Sequence, residues 1–275
     1  MLDGLILTDV IVVTKEQLDF YSNYYFVNDT PVPFELIENS YIIRIKPITT
    51  AMYQQYVDNV GILMINKNKI SDPRIISMSY LQYLIDEIFP QGEQGKIYQQ
   101  MLHTILSLSL GEEYNYTLGH DDNNRPYLGL YQNGEYLSRI TPKEFNQIVE
   151  IILYYNDEDY DGRYISDDLQ KAMMDYHNIK FKDQVTPNIE SKKCYVMAKN
   201  GMTLQQINEM SYRHFLMLYN HCVNIDIYFG DRILQASEKY KLDNVIYPLF
   251  KKKPSKFDFL QDKGELEHKI AQANG

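Results

Sequence analysis

RPYLGLYQNGEYLSRITPKEFNQIVEIIL, residues 125–153, predicts a β-hairpin followed directly by an amphipathic helix. Two strand-like runs flank Asn133-Gly134, a dipeptide that strongly favours a two-residue hairpin turn. Thr141 can then cap a helix, Pro142 suits its first turn, and Glu144 completes a capping box. The residues at helical spacing that we expect to face the core are Phe145, Ile148, Val149 and Ile152.

The segment before this hairpin extends the β-structure. YNYTLG, residues 114–119, has strand character, and HDDNN at 120–124 supplies a turn. Together with the hairpin, it predicts a small antiparallel meander. Nearer the N-terminus, SYIIRIKPI at 40–48 predicts another strand, because isoleucines alternate there with Arg44 and Lys46.

Helical patterns surround the meander on both sides. Thr49 or Thr50 is expected to cap a helix to about Val60, and a second helix is expected to run from Asp72-Pro73 to Pro90. A third, after Gly92 and Gly95, is apolar on nearly all sides and is predicted to be buried. The expected C-terminal helices are one through Leu169, Met173 and Tyr176, one that follows a capping box of Thr203 and Gln206 and carries Phe215 and Leu218, and a last one with Ile233, Leu234 and Tyr240.

These elements predict an α+β protein, mostly α-helical, with a small antiparallel β meander. The predicted divisions are an N-terminal helical unit with one or two strands at 1–111, the meander at 112–140, and a C-terminal helical unit with a polar tail at 141–275.

Composition limits the class of protein and its partners. Of 275 residues, 44% are apolar and 23% are charged, as in soluble globular proteins. The formal net charge of −10 argues against a nucleic-acid surface, because phosphates need a positive field. No apolar run is long enough for a membrane span, and the N-terminus lacks the basic start of a signal peptide. Cys194 and Cys222 make no disulfide framework at this length, so we expect a reduced cytoplasmic compartment.

YYNDEDYDGRYISDD, residues 154–168, poses a choice between a calcium loop and an acidic connection. Five residues match the EF-hand spacing: Asp157, Asp159, Asp161, Gly162 and Asp168. The last ligand position, however, carries Asp in place of Glu, and the sequence has no second loop to pair with this one. The alternative is that Ser166 or Asp167 caps the next helix while the other carboxylates are solvated. We expect no tight calcium binding, and weak binding stays open.

None of the other patterns predicts a catalytic or metal site. GMTLQQINEMSYRHFLMLYN, residues 201–220, has the cadence of a helix-turn-helix, but apolar side chains fill its second helix, which favours helix packing. His214, His221, Cys194 and Cys222 lack the spacing of zinc ligands. A glycine elbow and glycine-rich phosphate loops are absent. We therefore expect no catalytic residue, no cofactor and no metal, and predict that the protein is not an enzyme.

Two stretches resemble a known family. The first lies within 31–88 and contains YIIRIKPITTAMYQQYVDNVGILMINKN and DPRIISMSYLQYLIDEI, and the second lies within 194–221 and contains NGMTLQQINEMSYRHFLMLYNH. Both resemble tail assembly chaperones of tailed bacteriophages that infect low-GC Gram-positive bacteria. Such proteins hold the tape measure protein before the tail tube polymerises around it.

The resemblance implies a non-catalytic chaperone in the host cytoplasm that binds the tape measure protein or another tail protein. Nucleic acid and membrane are not expected as partners, and self-association stays open. The alternative function is a structural tail or baseplate component of the virion. A third class is an intracellular regulator that uses calcium at 157–168.

Tyrosine usage supplies the candidate partner-binding residues. The chain has 25 Tyr and 11 Met, more than a core of this size is expected to hold. Both side chains suit adaptable binding surfaces because they bury much area and tolerate different partners. The tyrosines within the two resembling stretches that we predict to bind a partner are Tyr53, Tyr56, Tyr80, Tyr83, Tyr212 and Tyr219. We expect some of them to line an exposed groove between helices. The alternative for each is a core position with a hydrogen-bonded hydroxyl.

Overall fold

A computed structural model of the chain describes residues 14–67, 70, 72–157, 175, 187–237 and 245–247. The described chain is mostly helical and carries two small antiparallel sheets, which confirms the predicted α+β class. Contacts group the chain into two compact units. The first contains Met1–Asp161 and Met202–Met217, and the second contains Gly162–Gly201 and Leu218–Gly275.

The described elements follow one another in this order along the chain. The helices are α1 (Lys15–Tyr24), α2 (Tyr53–Asn59), α3 (Pro73–Ser77), α4 (Tyr80–Tyr83), α5 (Gly92–Leu110), α6 (Pro142–Asn156), α7 (Ile189–Asn200), α8 (Leu204–Glu209) and α9 (Tyr212–Ala236). The strands are β1 (Val32–Glu35), β2 (Ile42–Ile45), β3 (Tyr114–His120), β4 (Pro126–Gln132) and β5 (Glu135–Ile140). Tight 3₁₀ turns at Thr50–Met52 and Val60–Leu63 extend α2 at both ends, and a π turn at Leu84–Ile88 extends α4.

The meander predicted from the sequence is confirmed. Strands β3, β4 and β5 pair in chain order, and all neighbours are antiparallel. Asn133 and Gly134 make the β4–β5 turn at φ values of 53° and 84°, the left-handed conformation that a two-residue hairpin needs. The pair Gln132 and Glu135 closes the turn.

The predicted strand near residue 45 is also confirmed. β2 pairs with β1 in an antiparallel two-stranded sheet, in which Val32 lies opposite Ile45. Ile43 and Ile45 are buried, whereas Ile42 and Arg44 are exposed. The alternation seen in the sequence therefore sets which face of β2 joins the core.

Helix α6 begins as the sequence predicts. The Thr141 hydroxyl accepts a hydrogen bond from the Glu144 amide, and the Glu144 carboxylate accepts one from the Thr141 amide. The same arrangement at Thr203 and Gln206 starts α8, so both predicted capping boxes are confirmed.

Helix α6 lies at the centre of the core of the first unit. The four residues expected on its core face are all buried. Near its end, the buried Tyr155 ring stacks on Phe26 with ring centroids 4.3 Å apart, and the Tyr155 hydroxyl donates to the Thr30 carbonyl at 2.7 Å. Burial raises the pKa of the Tyr155 hydroxyl, as does the charge of Asp29.

The prediction of one uninterrupted helix from Asp72 to Pro90 was wrong. Met78 is extended between α3 and α4, with φ −65° and ψ 148°. The chain restarts there because the Ser79 hydroxyl accepts a hydrogen bond from the Gln82 amide and caps α4. The Lys67 ammonium donates to the carbonyl oxygens of Ile76 and Met78, which the break removes from helical bonding.

Helix α5 is less buried than the sequence predicts. Leu102, Ile105 and Leu106 are buried, but Ile97 in the first half is exposed. Polar residues surround Ile97 in this half, including the Lys96–Glu93 ion pair at 2.7 Å, so the start of α5 faces solvent.

The start of α9 depends on an isolated antiparallel bridge between Thr49 and Ser211, which the local sequence does not predict. The Thr49 side chain caps no helix, and the Thr50 hydroxyl donates to the Met210 carbonyl at 3.0 Å. The Tyr212 amide donates to the Ile48 carbonyl at 2.8 Å. This pairing separates α8 from α9.

The prediction of a separate last helix around Ile233 and Leu234 was wrong, because both residues lie on α9.

The second unit contains α7 and residues 218–236 of α9. The Asp226 carboxylate accepts hydrogen bonds from the Lys199 ammonium and from the Tyr195 hydroxyl, each at 2.6 Å. These two bonds join α7 to α9 within this unit. The expected helix through Leu169, Met173 and Tyr176, and Tyr240, lie outside the described residues.

Candidate partner-binding cleft

An open cleft of about 270 Å³ lies in the first unit, between α2, the end of α6 and the start of α9. The residues that line it are Tyr53, Tyr56, Val57, Val60, Met64, Leu153, Asn156, Asp157, Tyr212 and Leu216. The cleft therefore brings together Tyr53, Tyr56 and Tyr212, three of the six tyrosines predicted to bind a partner.

Two tyrosine rings pack against each other inside the cleft. The centroids of Tyr53 and Tyr212 are 4.4 Å apart, and their ring planes are inclined by 32°. Burial is the main cause that raises the pKa of the Tyr212 hydroxyl, followed by the charge of Tyr53 and a hydrogen bond with it. The Tyr212 hydroxyl therefore stays protonated at physiological pH.

The cleft has a buried floor and an exposed rim. Tyr56 and Leu153 retain only 6% and 3% of their accessible surface, so they form the floor. Val57 and Met64 are exposed at 44% and 51%, although both are apolar. An exposed apolar rim above a packed floor is the anatomy of a surface on which a partner can bury apolar area.

Asn156 fixes the polar part of the floor. Its Oδ1 accepts a hydrogen bond from the Ile48 amide at 2.9 Å, and its Nδ2 donates to the Ile152 carbonyl at 2.8 Å. The side chain is buried and satisfied by these bonds. It holds the end of α6 against the segment that leads into α2, which keeps the cleft walls in place.

The other tyrosines predicted to bind a partner lie elsewhere. Tyr80 is half-buried, and its hydroxyl donates to the Ile62 carbonyl at 2.5 Å and accepts from the Ile65 amide at 3.1 Å. Tyr83 is buried, and burial raises the pKa of its hydroxyl. Tyr219 belongs to the second unit, where its ring packs edge-on against that of Tyr195. These three residues therefore do not join the cleft.

The sequence prediction missed five apolar residues of the cleft: Val57, Val60, Met64, Leu153 and Leu216. A signal was present for three of them. Residues 53, 56, 57, 60 and 64 follow helical spacing along one face, a pattern that usually predicts a buried stripe. Only the fold shows that part of this stripe stays open.

Metal-binding and membrane-spanning features can be assessed for the described part of the chain. No group of three or more His, Cys, Asp or Glu residues there is placed to hold a metal ion. Cys194 is exposed and Cys222 is buried, and neither forms a disulfide. The acidic stretch beyond Asp157 lies outside the described residues. Among the helices described, none combines the length and the apolar character that a membrane crossing requires.

Comparisons with known proteins do not identify a relative. No model of a protein family matches the chain, and neither a curated protein nor a solved structure matches it.

Proposed function

We propose that the protein is a non-catalytic tail assembly chaperone that acts in the host cytoplasm and binds the tape measure protein through the tyrosine cleft. The observation that carries this proposal is the grouping of Tyr53, Tyr56 and Tyr212 around one open cleft. All three residues come from the two stretches that resemble the chaperone family.

The cleft suits the task of such a chaperone, which is to cover the apolar stripe of a long helix. A long amphipathic helix self-associates through its apolar stripe unless another surface covers that stripe. Tyrosine and methionine bury large areas while tolerating different partners, and the exposed Met64 lines the same cleft as the tyrosine pair. A helix laid along a groove anchors itself through side chains about one turn apart. The cleft supports this mode of binding.

The size of the cleft favours an inserted side chain over a free ligand. Its volume is about 270 Å³. Pockets for drug-sized molecules run from about 300 to 1,000 Å³ and enclose most of the ligand. A smaller, open cleft is better suited to anchoring side chains of a partner that covers the rim as well.

Co-expression with the tape measure protein of the same phage, followed by capture through a tag on that protein, tests the proposal. Wild-type chain should be captured and should keep the tape measure protein soluble. The double variant Val57→Ser/Met64→Ser should bind about tenfold more weakly, a loss of about 1.4 kcal/mol, because it removes exposed apolar area that the partner would bury.

The matched control is Ile42→Ser/Ile97→Ser. It removes apolar side chains of similar exposure, 54% and 51%, that do not line the cleft. This control should bind as the wild type does, and both double variants should keep the far-ultraviolet circular dichroism of the wild type. Equal binding by both double variants would remove the cleft from the proposal. Failure of the wild-type chain to bind or solubilise the tape measure protein would overturn the chaperone function.

The alternative function, a structural tail or baseplate component, differs from a chaperone in whether the polypeptide remains in the finished phage particle. A chaperone is absent from purified phage particles, whereas a structural tail or baseplate component is present in fixed stoichiometry. Quantitative mass spectrometry of particles should therefore find none of this chain. Its presence in every particle would establish the structural role instead.

A further inference from the structure

One side of α9 in the second unit is apolar and exposed. Its four large side chains, called the α9 apolar face, are Ile227, Phe229, Ile233 and Leu234. With Gly230 between them, they recur at three- and four-residue steps, so they share one side of the helix. A cluster of exposed apolar side chains marks a surface on which another protein can bind.

The α9 apolar face continues the side of the helix that α7 contacts. The Asp226 carboxylate accepts a hydrogen bond from the Lys199 ammonium, and Lys199 is the residue before the last one of α7. Ile233 lies two turns beyond Asp226 on the same side and keeps 71% of its surface exposed. The apolar face therefore extends beyond the contact at the end of α7 and is open to solvent.

Gly230 lies in the middle of the α9 apolar face. A Cβ atom there would meet nothing within 4 Å, so packing inside the chain does not require a glycine. Glycine in a helix interior is also less favourable than alanine, because its backbone has more conformational freedom to lose. What a glycine offers at such a position is room for the backbone of another molecule to approach closely.

The α9 apolar face is complementary to a second copy of itself. In an antiparallel pair of α9 helices that cross at Gly230, residues three positions before and after the glycine meet. Ile227 of one copy then packs against Ile233 of the other. A two-fold interface requires such self-complementarity. Asp226 borders the face and is ion-paired with Lys199, so its charge is compensated when a second copy approaches.

We propose that α9 pairs with α9 of a second copy of this chain, antiparallel and crossing at Gly230, so that the α9 apolar face is buried between the two copies. The tyrosine cleft belongs to the first unit, so this inference is independent of what the cleft binds. Four large side chains per copy are far fewer than the roughly 20 to 30 residues a side of a standard interface. The dimer is therefore weak, with a dissociation constant on the order of 100 µM.

Sedimentation equilibrium of the full-length chain tests the dimer, at concentrations on both sides of that dissociation constant. Ile233→Ser should weaken the dimer about fivefold or more, because it removes apolar area from both sides of the interface. The matched control is Ile37→Ser, which changes the same residue type at the same exposure of 71% in the first unit. This control should dimerise as the wild type does.

Salt provides a second readout of the same equilibrium. Each copy carries a net charge of −10, so the two copies repel each other. Added salt screens this repulsion, while the contacts of the α9 apolar face are not ionic. The dimer should therefore become tighter as the salt concentration rises.

Gly230→Ala separates an interface role from a role inside the chain. The added methyl groups should hold the two helices apart and weaken the dimer about fivefold. In the monomer, well below the dissociation constant, the same substitution should raise the melting temperature, because alanine favours the helix. Gly61→Ala, at which a Cβ atom also meets nothing within 4 Å, should leave dimerisation unchanged.

Cysteine crosslinking tests the antiparallel orientation in a Cys194→Ser background, which removes the exposed native thiol. Chains with Ile227→Cys and tagged chains with Ile233→Cys should form a mixed disulfide under mild oxidation. A parallel pair would instead join like positions.

Three outcomes would overturn the inference. One is a wild-type chain that remains monomeric over the whole concentration range. Another is a dimer that Ile233→Ser or Gly230→Ala leaves as tight as in the wild type, which would place the contact on another surface. The third is crosslinking of like positions only.

Discussion

The carboxylate of Glu144 accepts a hydrogen bond of 2.6 Å from the backbone amide of Ile37, far away in the sequence. The same carboxylate closes the capping box of α6 through the Thr141 amide and hydroxyl. Glu144 is buried, so each of its bonds replaces water that the carboxylate has lost. One side chain thus starts a helix and ties it to the loop between β1 and β2.

Glu144→Ala should lower the free energy of unfolding by about 3 kcal/mol, because it removes several charge-assisted hydrogen bonds from a buried site. Gln206 occupies the same position of the second capping box but is exposed. Gln206→Ala should therefore cost less than about 1 kcal/mol. Urea denaturation measures both changes. Equal losses for the two variants would mean that the bond to Ile37 contributes nothing to stability.

Gly95 is predicted to tolerate no side chain. A Cβ atom there would lie against the carbonyl group of Phe89 and 3.1 Å from the carbonyl oxygen of Ile88. Backbone atoms cannot move aside as a flexible side chain does, so Gly95→Ala should cost about 2 kcal/mol or more. At Gly61 a Cβ would meet nothing within 4 Å, and Gly61→Ala should be neutral or stabilise the protein slightly. Thermal unfolding compares the two variants, and similar melting temperatures for both would contradict the close approach at Gly95.

The pKa of Asp226 is predicted to lie below its ordinary value. The hydrogen bond from Lys199 is the largest cause, and the bond from Tyr195 adds to it. A lowered pKa in the folded state means that the ionised carboxylate stabilises the fold above the ordinary pKa of 3.8, and that this contribution is lost as the pH falls through the lowered pKa. Carbon-13 NMR of the carboxyl group should place the titration midpoint below 3.8.

Lysine variants on α7 provide the control for this titration. Lys199→Met removes the main hydrogen bond and should raise the midpoint of Asp226. Lys192 lies over the Tyr219 ring and makes no such contribution to Asp226, so Lys192→Met should leave the midpoint unchanged. A wild-type midpoint at or above 3.8 would show that the two hydrogen bonds do not favour the ionised form.

The candidate cleft was accessible to sequence reasoning only in part. Tyr53, Tyr56 and Tyr212 belong to stretches that the sequence singles out, and the fold brings them to one place. Tyr80 and Tyr83 belong to the same stretches, yet their hydroxyl contacts and burial assign them to packing. All five residues are tyrosines, so residue type cannot tell which of them line the cleft and which pack inside the fold. That distinction depends on which face of each helix contacts another element.

Local interactions explain what the sequence by itself determined. The hairpin at Asn133-Gly134 and the capping boxes at Thr141 and Thr203 depend on residues within four positions of one another. Their sequence patterns therefore predict them without knowledge of the fold. The alternation in β2 belongs to the same group, because its side chains point to opposite faces by backbone geometry alone.

Tertiary structure decided the features that depend on distant residues. At the break, the Lys67 ammonium donates to the carbonyl oxygens of Ile76 and Met78, which adds a tertiary contact to the local Ser79 cap. The separation of α8 from α9 needs Ile48 to accept the Tyr212 amide. The open rim at Val57 and Met64 exists because neighbouring elements cover only part of an apolar stripe. Sequence periodicity records that a stripe is apolar, but the packing of the other helices determines how much of that stripe remains exposed to solvent.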